Sequence, residues 1–266
     1  SGDVPGYVLN QFSMDENQGY FRIATTKSSS WDDFNHTRNQ QHNNLYILNE
    51  RLDTVGSVEG LAKNEKIYSV RFMQDMAYLV TFRETDPLFV IDVSDPKNPK
   101  VLGELKIPGF STYLHPYDKD TLIGLGKETF LSEWGTRQGG VKLSLFDVSD
   151  VSQPKEIAKY ILGDAQSYSS ALNDHKAFLF SKEKNLLVIP ATIYNENEKE
   201  ILNKDTRPYY KEPFRGAAIF TINKNGFTLK GKISHTSKSI GTNTYDYGYS
   251  YGYENEIKRS LYIKDT

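Results

Sequence analysis

The chain repeats itself. Residues 90–105 read "VIDVSDPKNPKVLGEL" and residues 145–160 read "LFDVSDVSQPKEIAKY", so Asp92, Val93, Ser94, Asp95 and Pro99 return 55 residues later as Asp147, Val148, Ser149, Asp150 and Pro154. Self-similarity of this kind marks a supersecondary unit that cannot bury its apolar face alone and stacks on copies of itself. Two further segments share the form: "NLYILNERLDTVGSV" (44–58) and "GAAIFTINKNGFTLKGKI" (216–233). Each is an apolar run, a polar turn and a second run carrying a small residue. With Gly56, Gly103, Ala158 and Gly231 taken as equivalent, the intervals are 47, 55 and 73 residues.

A second hairpin precedes each of these, in "NQFSMDENQGYFRIATT" (10–26), "YSVRFMQDMAYLVTF" (68–82), "TYLHPYDKDTLIGLG" (112–126) and "DHKAFLFSKEKNLLVIPA" (174–191). Two hairpins make four strands, and four strands in roughly 45 residues is the size of a propeller blade. The 18 Tyr and 14 Phe favour strands over helices. The pattern therefore predicts an all-β protein, a β-propeller of four-stranded antiparallel blades, with about four to five blades' worth present. As a single propeller domain over 1–266, its blade bodies fall at roughly 7–61, 67–107, 110–162 and 168–235, with the start of a further blade at 259–266. "VPGYVLNQFSMD" (4–15) matches "IPGFSTYLHPYD" (107–118), which makes residues 1–6 read as the tail of another blade. On this reading the chain is a fragment of a larger propeller; the rival is a small complete propeller closed by its terminal strand.

The Asp-x-Ser-Asp-(x)3-Pro element falls in the turn between third and fourth strands. Asp and Ser side chains accept from backbone N–H groups two or three residues on, and Pro fixes φ, so these residue types hold a tight connection. The same acids read as a Ca²⁺ loop lack the ligand density such a site needs. "LFVIDVSDPKNPKVLGELKIPGF", with its echo, and with "FSTYLHPYD", "KLSLFDVSD" and "DHKAFLF", resembles the repeat of bacterial secreted proteins that carry a C-terminal β-propeller domain distantly related to WD40 repeats. The resemblance covers most of the chain. It implies an extracellular or cell-surface attached protein and brings no catalytic residues with it.

A formal charge of -2 and a pI near 6.2 offer no basic field for nucleic acid. No apolar run approaches the roughly 20 residues of a membrane span, so none is expected within this chain, and "SGDVPG" is no signal peptide. The absence of cysteine removes thiolate chemistry and fits a cytosolic protein as well as an exported one.

The connection between second and third strands is short in one blade (83–87) but long in the others, at 27–44, 127–140 and 193–215, and a further long stretch covers 236–258. Antiparallel topology sends all four insertions to one face. Long loops in compact domains tend to be functional or disordered. Trp31, Trp134, Tyr209, Tyr210, Tyr245, Tyr247, Tyr249 and Tyr251 (with Tyr253 beyond) lie in them and form the candidate ligand-binding set. Flat aromatic surface with polar edges suits sugars or peptides; the other reading is that these rings pack the loops together.

His36 and His42 stand near Asp32 and Asp33 without any zinc or EF-hand spacing, and His115 and His175 lie in hairpins beside Asp118 and Asp174. No nucleophile elbow, zinc-protease pair or phosphate-cradling loop is present, so no catalytic residue, metal ligand or cofactor is assigned. The expected function is a non-catalytic extracellular binding or scaffold propeller whose partner is a cell-envelope polysaccharide or protein. The alternative is a hydrolase or lyase on envelope polysaccharide, using Glu128 and Glu133 with Asp32 or Asp33 from the same face.

Overall fold

A strand covered on both faces must be apolar at nearly every position, and the two middle strands of each repeat meet that demand. The computed structural model describes residues 1–32, 37–82, 86–133, 135–194, 199–200, 209–210, 213–234 and 257–261. The first repeat contains β1 (Met14–Asn17), β2 (Tyr20–Lys27), β3 (Ser30–Asp32), β4 (Thr37–Asn39), β5 (His42–Leu48) and β6 (Thr54–Leu61). The second contains β7 (Lys66–Met73), β8 (Met76–Phe82), β9 (Asp86–Asp92) and β10 (Lys100–Ile107). The third contains β11 (Phe110–Asp118), β12 (Thr121–Ser132), β13 (Gly135–Asp147) and β14 (Lys155–Leu162). The fourth contains β15 (Leu179–Ser181), β16 (Leu186–Ile193), β17 (Lys199–Glu200), β18 (Tyr209–Tyr210), β19 (Phe214–Asn223) and β20 (Gly226–Ser234).

They form four sheets of four strands, ordered β1-β2-β5-β6, β7-β8-β9-β10, β11-β12-β13-β14 and β15-β16-β19-β20, with β3-β4 and β17-β18 as two-stranded ribbons. These are the four blades expected from the repeat. The chain divides into two compact units, one of Ser1–Gln138 with Lys142–Ala158 and the other of Gly139–Val141 with Lys159–Thr266.

In the first unit the period of two along a strand distributes side chains to two separate cores. From β8 and β9, Ala77, Leu79, Phe89 and Ile91 pack with Leu45 and Ile47 of the first sheet, whereas Tyr78, Val80, Leu88 and Val90 pack with Leu114, Leu122 and Phe146 of the third. This is why those strands read as continuous apolar runs. The outermost strands β6, β10, β14 and β20 alternate towards exposure.

The repeated turn is held as its residue types predict. Asp92 accepts from the backbone N–H (2.9 Å) and hydroxyl (2.6 Å) of Ser94, and Asp95 accepts from Lys97 N (3.0 Å) and the Asn98 amide (2.7 Å). Asp147 accepts from Ser149 N, and Asp150 accepts from both the N–H and the hydroxyl of Ser152. The Asn98 and Lys97 donors hold the Asp95 carboxyl below its ordinary range, as Ser152 does for Asp150; at Asp92 burial pushes upward but the Ser94 bonds outweigh it. Val93 N donates to Asp75 O and Val148 N to Asp120 O, anchoring each such turn to the first hairpin of its own sheet.

The far side of each turn meets the preceding sheet at a glycine. A Cβ on Gly56 would lie 2.2 Å from the Pro96 carbonyl and 2.9 Å from Pro99 Cδ, and one on Gly103 would lie 2.3 Å from the Val151 carbonyl and 3.0 Å from Pro154 Cδ. In β6, β10 and β20 the register shifts just before the glycine, with Gly56 opposite Ile47, Gly103 opposite Val90 and Gly231 opposite Ile219. The bulge turns the glycine's bare backbone outward at the same place in these three repeats; the third has Ala158 there.

Elsewhere the repeats diverge. The sequence predicts a hairpin over 174–191, but Ser170–Leu172 and His175–Ala177 are short 3-10 turns and only Leu179–Ser181 remains as first strand. Ser169 and Asp174 cause this by accepting from Ala171 N and Lys176 N, satisfying as caps the backbone that a strand would pair. Of residues 259–266, the described 259–261 carry no strand, and Arg259 donates to Asp174 at 3.1 Å.

Gly103→Ala is expected to destabilise the chain by about 1–3 kcal/mol in urea unfolding, because the obstructing atom is backbone. Gly231→Ala, at the equivalent bulge but with nothing within 4 Å of its Cβ, is expected to stay within about 0.5 kcal/mol of the parent. Equal effects at both positions would contradict the close-approach account.

Candidate functional site

Three of the four insertions expected to be loops contain paired strands among the described residues; 236–256 lies outside them. The segment 127–140 continues β12 and β13 as one long hairpin, closed where Ser132 Oγ donates to Gly135 O at 2.7 Å. Gly135 has φ +99°, a conformation that glycine adopts without a Cβ clash. The first insertion pairs Ser30, Trp31 and Asp32 with Asn39, Arg38 and Thr37, and the fourth-sheet insertion pairs Lys199 with Tyr210 and Glu200 with Tyr209. Each lies at the end of its sheet opposite the tight turns. Within the first unit the turn of sheet two seats on Gly56 of sheet one and that of sheet three on Gly103 of sheet two, so the arms of sheets one and three emerge at a common end.

Of the predicted binding set, the structure therefore puts Trp31 on β3 and Tyr209 and Tyr210 on β18. Trp134, Tyr245, Tyr247, Tyr249 and Tyr251 lie outside the described residues, as do Tyr253, Asp33 and His36. His42 begins β5, and its Nδ1 donates to the Gln40 carbonyl at 2.9 Å. Two residues not singled out in the sequence stand out: Phe130 and Leu131, at the end of β12, are 51% and 83% exposed. Their signal was the uninterrupted strand pattern running through 121–132 past the point where a blade body needs it.

Glu128, expected as half of a carboxylate pair across this face, is instead committed beneath the arm. Lys142 on β13, almost fully buried, lies 3.6 Å from Glu128 of β12 and 2.9 Å from Glu156 of β14, and donates to the Pro108 carbonyl at 2.6 Å. Glu156 also accepts from Ser144 Oγ. One cation thus ties three strands to the link between sheets, an arrangement in which removing one partner strands a buried charge. Glu133 remains exposed at the tip.

At the opposite end, a cleft of about 450 Å³ lies between the first-hairpin turns of sheets two and three, lined by Met73, Gln74, Met76, Tyr78, Pro116 and Asp118. Burial first, then the nearby Asp120, push the Tyr78 hydroxyl up to about 12, so it is a proton donor throughout the physiological range.

The first strands of the three sheets converge closely enough for Phe12, in the 3-10 turn Gln11–Ser13 just before β1, to meet a ring of sheet three: Phe12 and Tyr113 lie 5.5 Å apart. Between them sits Arg71 of β7, its guanidinium 4.2 Å from the Phe12 ring centre and 5.4 Å from that of Tyr113, with Nε and Nη2 donating to the Leu114 carbonyl at 2.9 and 2.7 Å. The Tyr113 hydroxyl lies 2.9 Å from His115 Nδ1. His115 lies in the first hairpin of its sheet, mid-strand on β11 opposite Ile123. Burial, and then the Arg71 charge, lower its imidazole from 6.5 to about 4. The folded chain therefore holds His115 neutral while the unfolded chain takes up a proton below pH 6.5. Stability should be fully present above that value and fall by up to about 3 kcal/mol as the pH drops towards 4. Urea unfolding between pH 7 and 4.5 checks this, with His115→Gln expected to flatten that part of the profile.

A family model described as "Beta propeller domain" matches residues 1–266. An uncharacterized protein of Archaeoglobus fulgidus is 47% identical over 188 residues, 71% of this chain and 27% of that protein. An uncharacterized protein of Methanocaldococcus jannaschii is 49% identical over 191 residues, 72% of this chain and 28% of that protein. Both relatives are archaeal, where the repeat alone resembled bacterial proteins, and the chain spans little more than a quarter of the length of either. With four sheets of four strands and a family match over every residue, the chain belongs to the β-propeller domain family.

Proposed function

We propose that this chain is a non-catalytic binding or scaffold propeller that works at the cell surface and engages an envelope polysaccharide or protein through its arms. The observation that carries the reading is the exposed Phe130–Leu131 pair at the end of the β12–β13 arm, 51% and 83% exposed. An arm reaching beyond its sheet has no core to cover. Large apolar side chains kept there lower solubility unless something covers them. Trp31, on the arm of the first sheet in the same unit, and Tyr209 and Tyr210, on the arm of the second unit, supply rings of the type that sugars and peptides stack on. The cell-surface location is supported by the likeness of the repeat to that of secreted propellers.

The two tryptophans both fall in the insertion segments, so intrinsic fluorescence reports on them directly. Titration with purified cell-wall polysaccharide, and separately with envelope protein, should give a saturable spectral change with one of them. Phe130→Ser with Leu131→Ser should weaken that binding by about tenfold or more, the worth of one well-buried apolar side chain, and leave urea stability within about 0.5 kcal/mol. A flat response to both ligands, or equal affinity in the double variant, would overturn the proposal.

A further inference from the structure

We propose that the converging first strands of sheets one to three form an oxyanion site, in which Arg71, flanked by Phe12 and Tyr113 with His115 alongside, receives a carboxylate or phosphate group. The inference is independent of the arms, which emerge from different strands. It starts from a contrast between two arginines of the same unit. Arg22 on β2 has a counter-ion: Asp15 of β1 takes its Nε and Nη2 at 2.6 Å each, and Nη1 donates to the Gln74 carbonyl. For Arg71 no carboxylate partner stands among the described residues, and its acceptors there are the Leu114 carbonyl and, acting at longer range, the Tyr113 hydroxyl.

A guanidinium carries five N–H donors, and the two bonds to Leu114 use two of them. Taking such a charge partly out of water is costly without a partner of opposite sign. The rings of Phe12 and Tyr113 offset part of that cost through their faces and fix the plane of the fork. A planar fork held in place is what bidentate recognition of a carboxylate or phosphate requires. Beside it stand the Tyr113 hydroxyl and the His115 imidazole, which the folded chain holds neutral, and neither supplies a counter-charge. The local field therefore favours an anion from outside the chain. The aromatic flanks would pack against the apolar or sugar part of the molecule that carries it.

The test follows the His115 ring resonances of the full chain by NMR at pH 7 and constant ionic strength, assigned with His115→Gln, during titration with sodium acetate and separately with inorganic phosphate. A saturable movement of His115, absent from the other four histidines, supports the site. The tighter of the two anions identifies the group as carboxylate or phosphate. Arg71→Gln should abolish the movement, and Arg71→Lys, which keeps charge but loses the fork, should weaken it by about tenfold, as expected where geometry and not charge alone selects the anion. Because Arg71 also braces three sheets, the wild-type titration decides the matter even where a variant does not fold. No saturable movement with either anion, equal movement of all five histidines, or an unchanged response in Arg71→Gln would overturn the proposal.

Discussion

The stacking of the first three sheets depends on one close approach: an outer-strand glycine lying under the turn of the sheet that follows. Gly56 receives the Pro96–Pro99 turn and Gly103 receives the Val151–Pro154 turn, at distances that leave no room for a Cβ. Each half of the contact needs its own chemistry. The bulge before the glycine presents bare backbone, while the Asp and Ser bonds and the proline keep the opposing turn rigid enough to seat against it. The two halves belong to neighbouring repeats. The chain repeats itself because a turn in one sheet is the complement of a glycine in the sheet before it.

This division explains where the molecule varies. The tight-turn end and the sheet faces are committed to neighbours: β8 and β9 feed a core on each side, Arg22 reaches from sheet one to the Gln74 carbonyl of sheet two, and Lys142 fastens three strands to the link at Pro108. Among the described residues of the first unit the opposite end carries no such keying, and residues can be added there without disturbing the stack: sheets one and three extend there as paired arms, and sheet four has an arm at the same end of its own sheet. The convergent first strands are the other place where packing leaves chemistry over, since Arg71 is braced by rings and a carbonyl and, unlike Arg22, has no acid partner among the described residues.

The blades were legible in the sequence because two local signals coincide in each hairpin: apolar runs of strand length, and turn residues whose side chains bond their own backbone. The Asp-x-Ser-Asp turn could be assigned from residue type alone. The arms were read as loops because 127–140 contains no strong turn pair to announce a hairpin; its turn depends on Ser132 and a positive φ at Gly135. The first strand of sheet four was overread because Ser169 and Asp174 cap short turns that compete with pairing. The cluster around Arg71 was invisible for a different reason. Phe12, Arg71 and Tyr113 come from three separate repeats, and no local pattern reports a contact that only the stacking of sheets creates. Trp31, Tyr209 and Tyr210 lie on the arms, while the only signal of Leu131 is a strand pattern carried past the blade body.

The claim that glycine and turn act as one unit is tested most directly by a double-mutant cycle between Gly103→Ala and Pro154→Ala, read by urea unfolding. If the turn seats on the glycine, the two losses will not add, and the coupling will lie at about 0.5–3 kcal/mol as for residues in direct contact. Losses that simply add would mean that the two positions act independently, and the stacking account would be wrong.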